Sequence, residues 1–220
     1  MLKRLINLLF PPKCKFCRRV LLKNETDLCH SCRIQTPEFN SEKRKAKHVA
    51  DWTAVWYYRG RVIGSLKRYK FWNARRYADF YGRMLALKLL DCYFLQEVDL
   101  ITWAPVSKRR RQQRGYDQSY LIAKAVAQEL EDKPLVSTLQ RKHTVPISSI
   151  RNIRQRQYAI SGAYSCPCPE AVQGKTILVI DDIFTTGSTS SEIGKTLLAA
   201  GAAKVYLGVV ASAQHEFKHK

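Results

Sequence analysis

Two adjacent carboxylates, Asp181 and Asp182, stand between a short branched apolar run, Ile177 to Ile180, and a cluster of small hydroxyl residues around a glycine, Thr185-Thr186-Gly187-Ser188-Thr189. Four apolar residues bounded by polar positions predict a strand buried on both faces. A small-residue loop leading from such a strand into a helix is a phosphate cradle. Successive backbone N–H groups and the positive helix end converge on one spot, and hydroxyls add donors. Carboxylates beside that spot accept hydrogen bonds from a sugar diol or hold Mg²⁺ directly or through water. The set therefore suits a sugar phosphate better than a bare phosphate. Asp181 and Asp182 are the candidates for catalysis, and they join Thr185, Thr186, Gly187, Ser188 and Thr189 as ligand-binding candidates.

A second group has metal chemistry. Four of the seven cysteines, Cys14, Cys17, Cys29 and Cys32, follow the spacing C-x2-C-x11-C-x2-C. Each pair offers two thiolates on one turn, so the two pairs can close a tetrahedral Zn²⁺ site. A four-thiolate site is closed, hence structural, and holds together a segment too small to fold alone. With four thiolates present, His30 reads as a bystander, and Cys92, Cys166 and Cys168 as ordinary residues. This divides the chain into a zinc-binding module at 1–40, a polar linker at 41–50 and one α/β domain at 51–220.

The 220 residues carry 38 Lys and Arg against 18 Asp and Glu, a formal net charge of +20. Such a balance argues for a polyanionic partner, nucleic acid or an anionic membrane, and says nothing about fold. An apolar content of 45% excludes a disordered chain. No run approaches the roughly 20 apolar residues of a membrane span, so no integral membrane association is expected. The run from Leu5 to Phe10 is too short for a secretory core and lacks a small-residue cleavage site. A cytosolic protein is the expectation.

Stepping along the chain, Trp52 to Tyr58 has strand content. Between Arg59 and Arg76 lie seven basic residues, no acidic ones, and Tyr69, Phe71 and Trp72. Cations interleaved with exposed rings track a backbone and stack bases of a single strand; equally, the rings can pack inward while the charges are solvated. Asn73 is a candidate cap for a helix to about Leu90, with Tyr77, Phe80, Tyr81, Met84, Leu85 and Leu89 on its buried side. A strand over Asp99 to Ala104 precedes a loop, Pro105 to Gly115, with Lys108, Arg109, Arg110, Arg111 and Arg114. At a strand's carboxyl end beside the cradle, these cations can face the same crevice. Asp117 is a candidate N-cap for a helix over Gln118 to Leu130, and Leu135 to Leu139 a candidate strand. A long basic segment follows, with Arg141, Lys142, Arg151, Arg154 and Arg156 and no acid before Pro169. Past the cradle, Thr189 and Glu192 have capping-box spacing, Gly201 ends the helix, and Val205 to Val210 is a last buried strand. Alternating strands and helices imply a largely parallel sheet. Gly174-Lys175-Thr176 is not a Walker A loop, because it precedes its strand and Pro169 stands where the first glycine is required.

The run Ile177 to Thr189 resembles the phosphoribosyl-pyrophosphate (PRPP) signature of the type I phosphoribosyltransferase fold. With the zinc knuckles and the Arg-Gly-Tyr-Asp-Gln segment at Arg114 to Gln118, in that order, nearly the whole chain resembles the ComF family of competence proteins. The resemblance implies PRPP with magnesium as ligand and contact of Lys108 and Arg109 with the pyrophosphate. It also implies a mobile basic loop within Lys133 to Pro169. The implied role is natural transformation: handling incoming single-stranded DNA in the cytoplasm near the membrane uptake machinery, with competence helicase and recombination proteins as partners. The alternative is an active phosphoribosyltransferase with an unidentified acceptor. For single-stranded DNA the candidates are Lys67, Arg68, Lys70, Arg110, Arg111, Arg151 and Arg154. The chain departs from the family pattern at Asp117, where Asn is usual, at Ile147, where Gln is usual, and at Trp103, where a proline is expected.

Overall fold

The structure is a computed structural model, and it describes residues 10–40, 45–142 and 161–213. In chain order these form α1 (His30–Gln35), β1 (Asp51–Tyr57), α2 (Gly60–Phe71), α3 (Tyr77–Leu90), β2 (Leu100–Trp103) and α4 (Lys108–Arg114). They continue as α5 (Gln118–Glu129), β3 (Gln140–Arg141), β4 (Tyr164–Ser165), β5 (Thr176–Phe184), α6 (Ser188–Ala199) and β6 (Lys204–Ser212). The apolar runs pair into one parallel sheet of order β1-β6-β5-β2, and β3 and β4 make a separate antiparallel pair. Parallel pairing needs crossovers, and the helices that supply them cover both faces.

Two cores result. On one face Leu178, Ile180, Tyr206 and Trp56 pack with Leu66 of α2, Phe80 and Leu85 of α3, and Ile122 and Val126 of α5. On the other, Ile177, Val179, Leu207 and Trp52 pack with Ile193 and Leu197 of α6. The cysteine module belongs to the first core. Phe16 stands edge-on to Trp56 at 5.2 Å and to Phe80 at 5.9 Å. Ser65 of α2 donates to the Lys15 carbonyl, and Arg68 to those of Lys15 and Phe16. Phe39 and Ala46 are buried, with Phe39 against Trp52 and Tyr57.

Several local expectations change. The segment read as a loop from Pro105 contains α4, which has no apolar stripe to announce it; the Ser107 hydroxyl accepts from the Arg110 amide, and Gly115 closes it at φ 75°. Asn73 does not cap α3. It is left-handed at φ 52°, and Arg76 holds the N-cap position. Leu135 makes one parallel bridge to Ile101 instead of a strand. Thr189 and Glu192 form no capping box, because Gly187 is the N-cap and the Glu192 carboxylate accepts from the Gly162 amide at 2.6 Å. The Leu5-to-Leu9 part of the N-terminal run, and Arg151, Arg154 and Arg156, lie outside the described residues.

Candidate functional site

β5 runs through both carboxylates, because nine-residue β6 continues the ladder beside it, with Asp181 opposite Val209 and Phe184 opposite Ser212. The acids are thus fixed by a strand backbone instead of lying just beyond it. Asp181 Oδ1 accepts from Ser119 Oγ at 2.9 Å and from the Asp182 amide at 2.8 Å. Lys70 Nζ, from the last turn of α2, donates to Asp182 Oδ1 at 2.8 Å. Burial pushes the Asp181 carboxyl up to about 7, and the Asp182 charge adds to that, while Lys70 and Ser119 pull against it. A carboxyl of this kind changes protonation near neutral pH.

Beyond β5, Thr185 and Thr186 are exposed, and Gly187 turns the chain at φ 78° into α6. A Cβ there would lie 3.1 Å from Phe184 Cζ, so the tight turn needs glycine for space as well as for backbone. Thr186 Oγ1 and Ser188 Oγ share a hydrogen bond at 2.8 Å, and Ser190 Oγ donates to the Gly187 carbonyl. A helix start presents its first-turn amides as donors; here that of Ser188 is met by Thr186 Oγ1 at 3.4 Å. Beneath the turn is a pit of about 20 Å³ lined by Asp181, Thr185, Gly187, Thr189 and Ser190. That is the scale of one water, so any larger anion would occupy the open side. Hydroxyls, amides and two carboxylates are the donor set that a phosphorylated sugar requires.

The cations around this edge separate by depth. Lys108, Arg109 and Arg111 of α4 are exposed, whereas Arg110 is half-buried. Burial lowers Arg110's pKa, the charges of Arg114 and Arg141 lower it further, and Asp182 opposes them. Arg141 donates to the Tyr164 hydroxyl at 3.1 Å. Lys67 is exposed; the Arg68 guanidinium serves module carbonyls. Lys70, expected on a nucleic-acid face, instead meets Asp182 across 112 positions of sequence. Ser119 was absent from the sequence-based candidates; its only sequence signal is a hydroxyl two places after the helix cap Asp117.

Asp117 does cap α5. It is buried, and its carboxylate accepts from the amides of Val106 at 3.0 Å and Tyr120 at 3.2 Å. Burial raises its pKa despite these bonds. The two amides are met by different oxygens, Val106 by Oδ2 and Tyr120 by Oδ1, and an Asn with its single acceptor oxygen would meet only one of them in this arrangement, so the departure at this position changes the local bonding. Trp103 packs its ring at 4.9 Å from Tyr120, on the same helix.

The four cysteines converge, with all Sγ atoms within 4.8 Å of one another and those of Cys17 and Cys29 at 3.7 Å. Zn–S bonds of about 2.3 Å in a tetrahedron require S···S edges of about 3.8 Å. Donor chemistry and spacing therefore fit zinc. Arg61 Nη1 of α2 donates to Cys32 Sγ at 3.2 Å, offsetting the negative charge that four thiolates leave on such a centre. His30 is exposed.

Residues 5–44 match the double zinc ribbon domain family, and residues 117–220 match the phosphoribosyl transferase domain family. The DNA utilization protein YhgH of Escherichia coli (strain K12) is 31% identical over 139 residues, 62% of this chain and 60% of that protein. Competence protein F of Haemophilus influenzae is 26% identical over 153 residues, 67% of this chain and 66% of that one. The pairing of a double zinc ribbon domain with a phosphoribosyl transferase domain, and the names of these two relatives, agree with the resemblance to the ComF family. The chain spans less than two thirds of the length of these two relatives. A solved glutamine PRPP amidotransferase from B. subtilis, complexed with ADP and GMP, is 22% identical, with 64% of this chain and 30% of that one covered at a TM-score of 0.44. The phosphoribosyl transferase match includes the cradle and Ser119, and the zinc ribbon match includes all four cysteines. Residues 45–116, with α2, α3 and α4, lie between the two matches. Among the described residues no helix is long and apolar enough to cross a membrane.

Proposed function

We propose that this chain is a ComF-type protein that handles single-stranded DNA during uptake and utilization of DNA, with a PRPP–Mg²⁺ cradle that controls or shapes that handling. The observation that carries the reading is the end of α2. Phe71 and Trp72 there are 63% and 73% exposed, while Lys70 one residue earlier reaches Asp182. One helix end is thus shared by a stacking surface and by the cradle. Asp181, Asp182 and the turn from Thr185 to Thr189 would hold the phosphoribosyl end, with Lys108 and Arg109 towards the pyrophosphate. Magnesium, when bound, would offset charge on the pyrophosphate. The relatives' names and the +20 charge support a DNA partner. The proposed setting is the cytoplasm, near the uptake machinery, with competence helicase and recombination proteins as neighbours.

A calorimetric titration of PRPP with Mg²⁺, with and without an oligothymidylate, tests this on wild type and Asp182→Ala. PRPP should change oligonucleotide affinity by the same factor as the oligonucleotide changes PRPP affinity, and Asp182→Ala should abolish PRPP binding. Absence of PRPP binding in wild type would sink the cradle half of the proposal.

The second reading, an active phosphoribosyltransferase, is favoured by Asp181, whose carboxyl is pushed up to about 7 and can exchange a proton near neutrality. Pyrophosphate release from PRPP that depends on an added acceptor and is lost in Asp181→Ala and Asp182→Ala would decide for it.

A further inference from the structure

Two cavities lie away from the cradle, at the seam between the cysteine module and α2–α3. One, about 600 Å³, runs from Phe10 and Pro12 past Lys13 to Tyr77; the other, about 490 Å³, runs from Arg68 and Trp72 past Arg75 to Tyr77. Both are lined by Arg18, Arg76 and Tyr77, so they adjoin across these residues, and the two together are the seam groove.

Its walls carry six cations: Lys13, Lys15, Arg18, Arg68, Arg75 and Arg76. The two acids in it are already engaged, Glu25 with Arg19 and Asp27 with Lys15 and Arg83. Flat apolar surface is offered near both ends, by Phe10 at 76% exposure and Trp72 at 73%. Arg18 donates to the Tyr77 hydroxyl, and Arg75 is braced by the Asn73 side chain and the Gly115 carbonyl, so both guanidinium groups are held in position. Arg18 and Asn73, which both line the groove, are left-handed at φ 73° and 52°. Such conformations persist where surrounding contacts over-determine them.

We propose that this seam groove is the track of a single-stranded nucleic acid, with phosphates on Arg18, Arg75 and Arg76 and a base stacked on Trp72. It deepens the single-stranded DNA reading above and rests on it. Cations without free counter-charges select a polyanion, and an exposed indole selects a polyanion whose bases are free to stack. A duplex hides those faces. The groove is also half built from the module, which gives the zinc site a role in binding as well as in folding.

The test uses the full zinc-loaded chain, a fluorescein-labelled oligothymidylate and anisotropy across a salt series. Trp72→Ala should weaken binding about tenfold, in the range of one lost base stack, with Trp72→Phe recovering most of it. Arg76→Gln should lower the slope of log affinity against log salt by about 0.7. Lys175→Gln, the same charge change beside the amino end of β5, should leave affinity unaltered. Because Trp72 and Arg76 are exposed, zinc content and melting temperature should match wild type in both variants. If wild type binds the oligonucleotide but Trp72→Ala and Arg76→Gln behave like Lys175→Gln, the groove is overturned and the DNA reading survives. If wild type fails to bind, or prefers a duplex or anionic vesicles, both fall.

Discussion

At Asp181, strand geometry and electrostatics pull in opposite directions. Pairing with β6 holds the half-buried side chain beside Asp182, and desolvation together with that neighbour lifts its pKa from an ordinary 3.8 to about 7. Between about pH 4 and 7 the folded chain therefore keeps a proton that the unfolded chain has lost. Folding takes up that proton, so this residue's contribution to stability is fully present below pH 4, declines as pH rises, and is gone above about pH 7. Asp181→Asn removes the titration while keeping the shape and an acceptor for Ser119. Its melting temperature should exceed that of wild type by about 5 °C at pH 8, the effect of roughly 2 kcal/mol in a chain of this size, and converge with it at pH 4. Thermal melts at pH 4, 6 and 8 check this; a difference constant with pH would show that the carboxyl is not perturbed. Loss of that proton leaves a carboxylate as counter-charge for an incoming cation, so the charged form that a cationic ligand would need is the form in which the fold is less stable.

Among the elements, the tightest approach is between α3 and α5. A Cβ on Gly82 would fall 2.3 Å from Ala125 Cβ and 3.0 Å from the Ile122 carbonyl. Gly82→Ala must therefore push α5 outward, moving both Asp117 and Ser119 at its start. It should cost about 2 kcal/mol as an overpacked core, despite alanine's better helix propensity, and appear in urea unfolding as a lower midpoint with unchanged slope. Stabilisation instead would mean that the helices are not so closely packed. This contact also shows what sequence can and cannot disclose. β5, β6 and α5 were legible because branched apolar runs and a capping Asp117 are local signals, and the cradle was legible because its residues are contiguous. α4, Lys-Arg-Arg-Arg-Gln-Gln-Arg, has no apolar face and depends on Ser107 and Gly115 at its ends, which read equally well as a loop. The pairings of Lys70 with Asp182 and Ser119 with Asp181 bring together residues 112 and 62 positions apart, and no local pattern encodes them. Long-range polar contacts are set by how elements stack, and stacking follows from the apolar faces only after the fold exists.

For the whole molecule, the zinc site, the groove and the cradle meet through α2. That helix donates Arg61 to Cys32, Ser65 and Arg68 to module carbonyls, and Lys70 to Asp182, so its seat depends on the module. Phe16 against Trp56 and Phe80 makes the module part of the core above the sheet. Removing zinc should then unfold the module and loosen α2 without dissolving the parallel sheet, whose other face packs on Ile193 and Leu197 of α6 and takes Phe39, beyond the cysteines, from the module. Chelation, or Cys29→Ser, should lower the melting temperature and reduce oligothymidylate affinity at least about tenfold by removing Lys13, Lys15 and Arg18 from the groove. PRPP binding should weaken less, because Lys108, Arg109 and the turn at Gly187 belong to the domain. Circular dichroism, anisotropy and calorimetry on the same zinc-stripped sample separate the three effects. Equal loss of both ligands would mean that the fold collapses as one unit, whereas undiminished DNA affinity would mean that the module is no part of the track. The graded outcome follows only if α2 is where the metal-held half of the molecule passes its position to the phosphate-binding half.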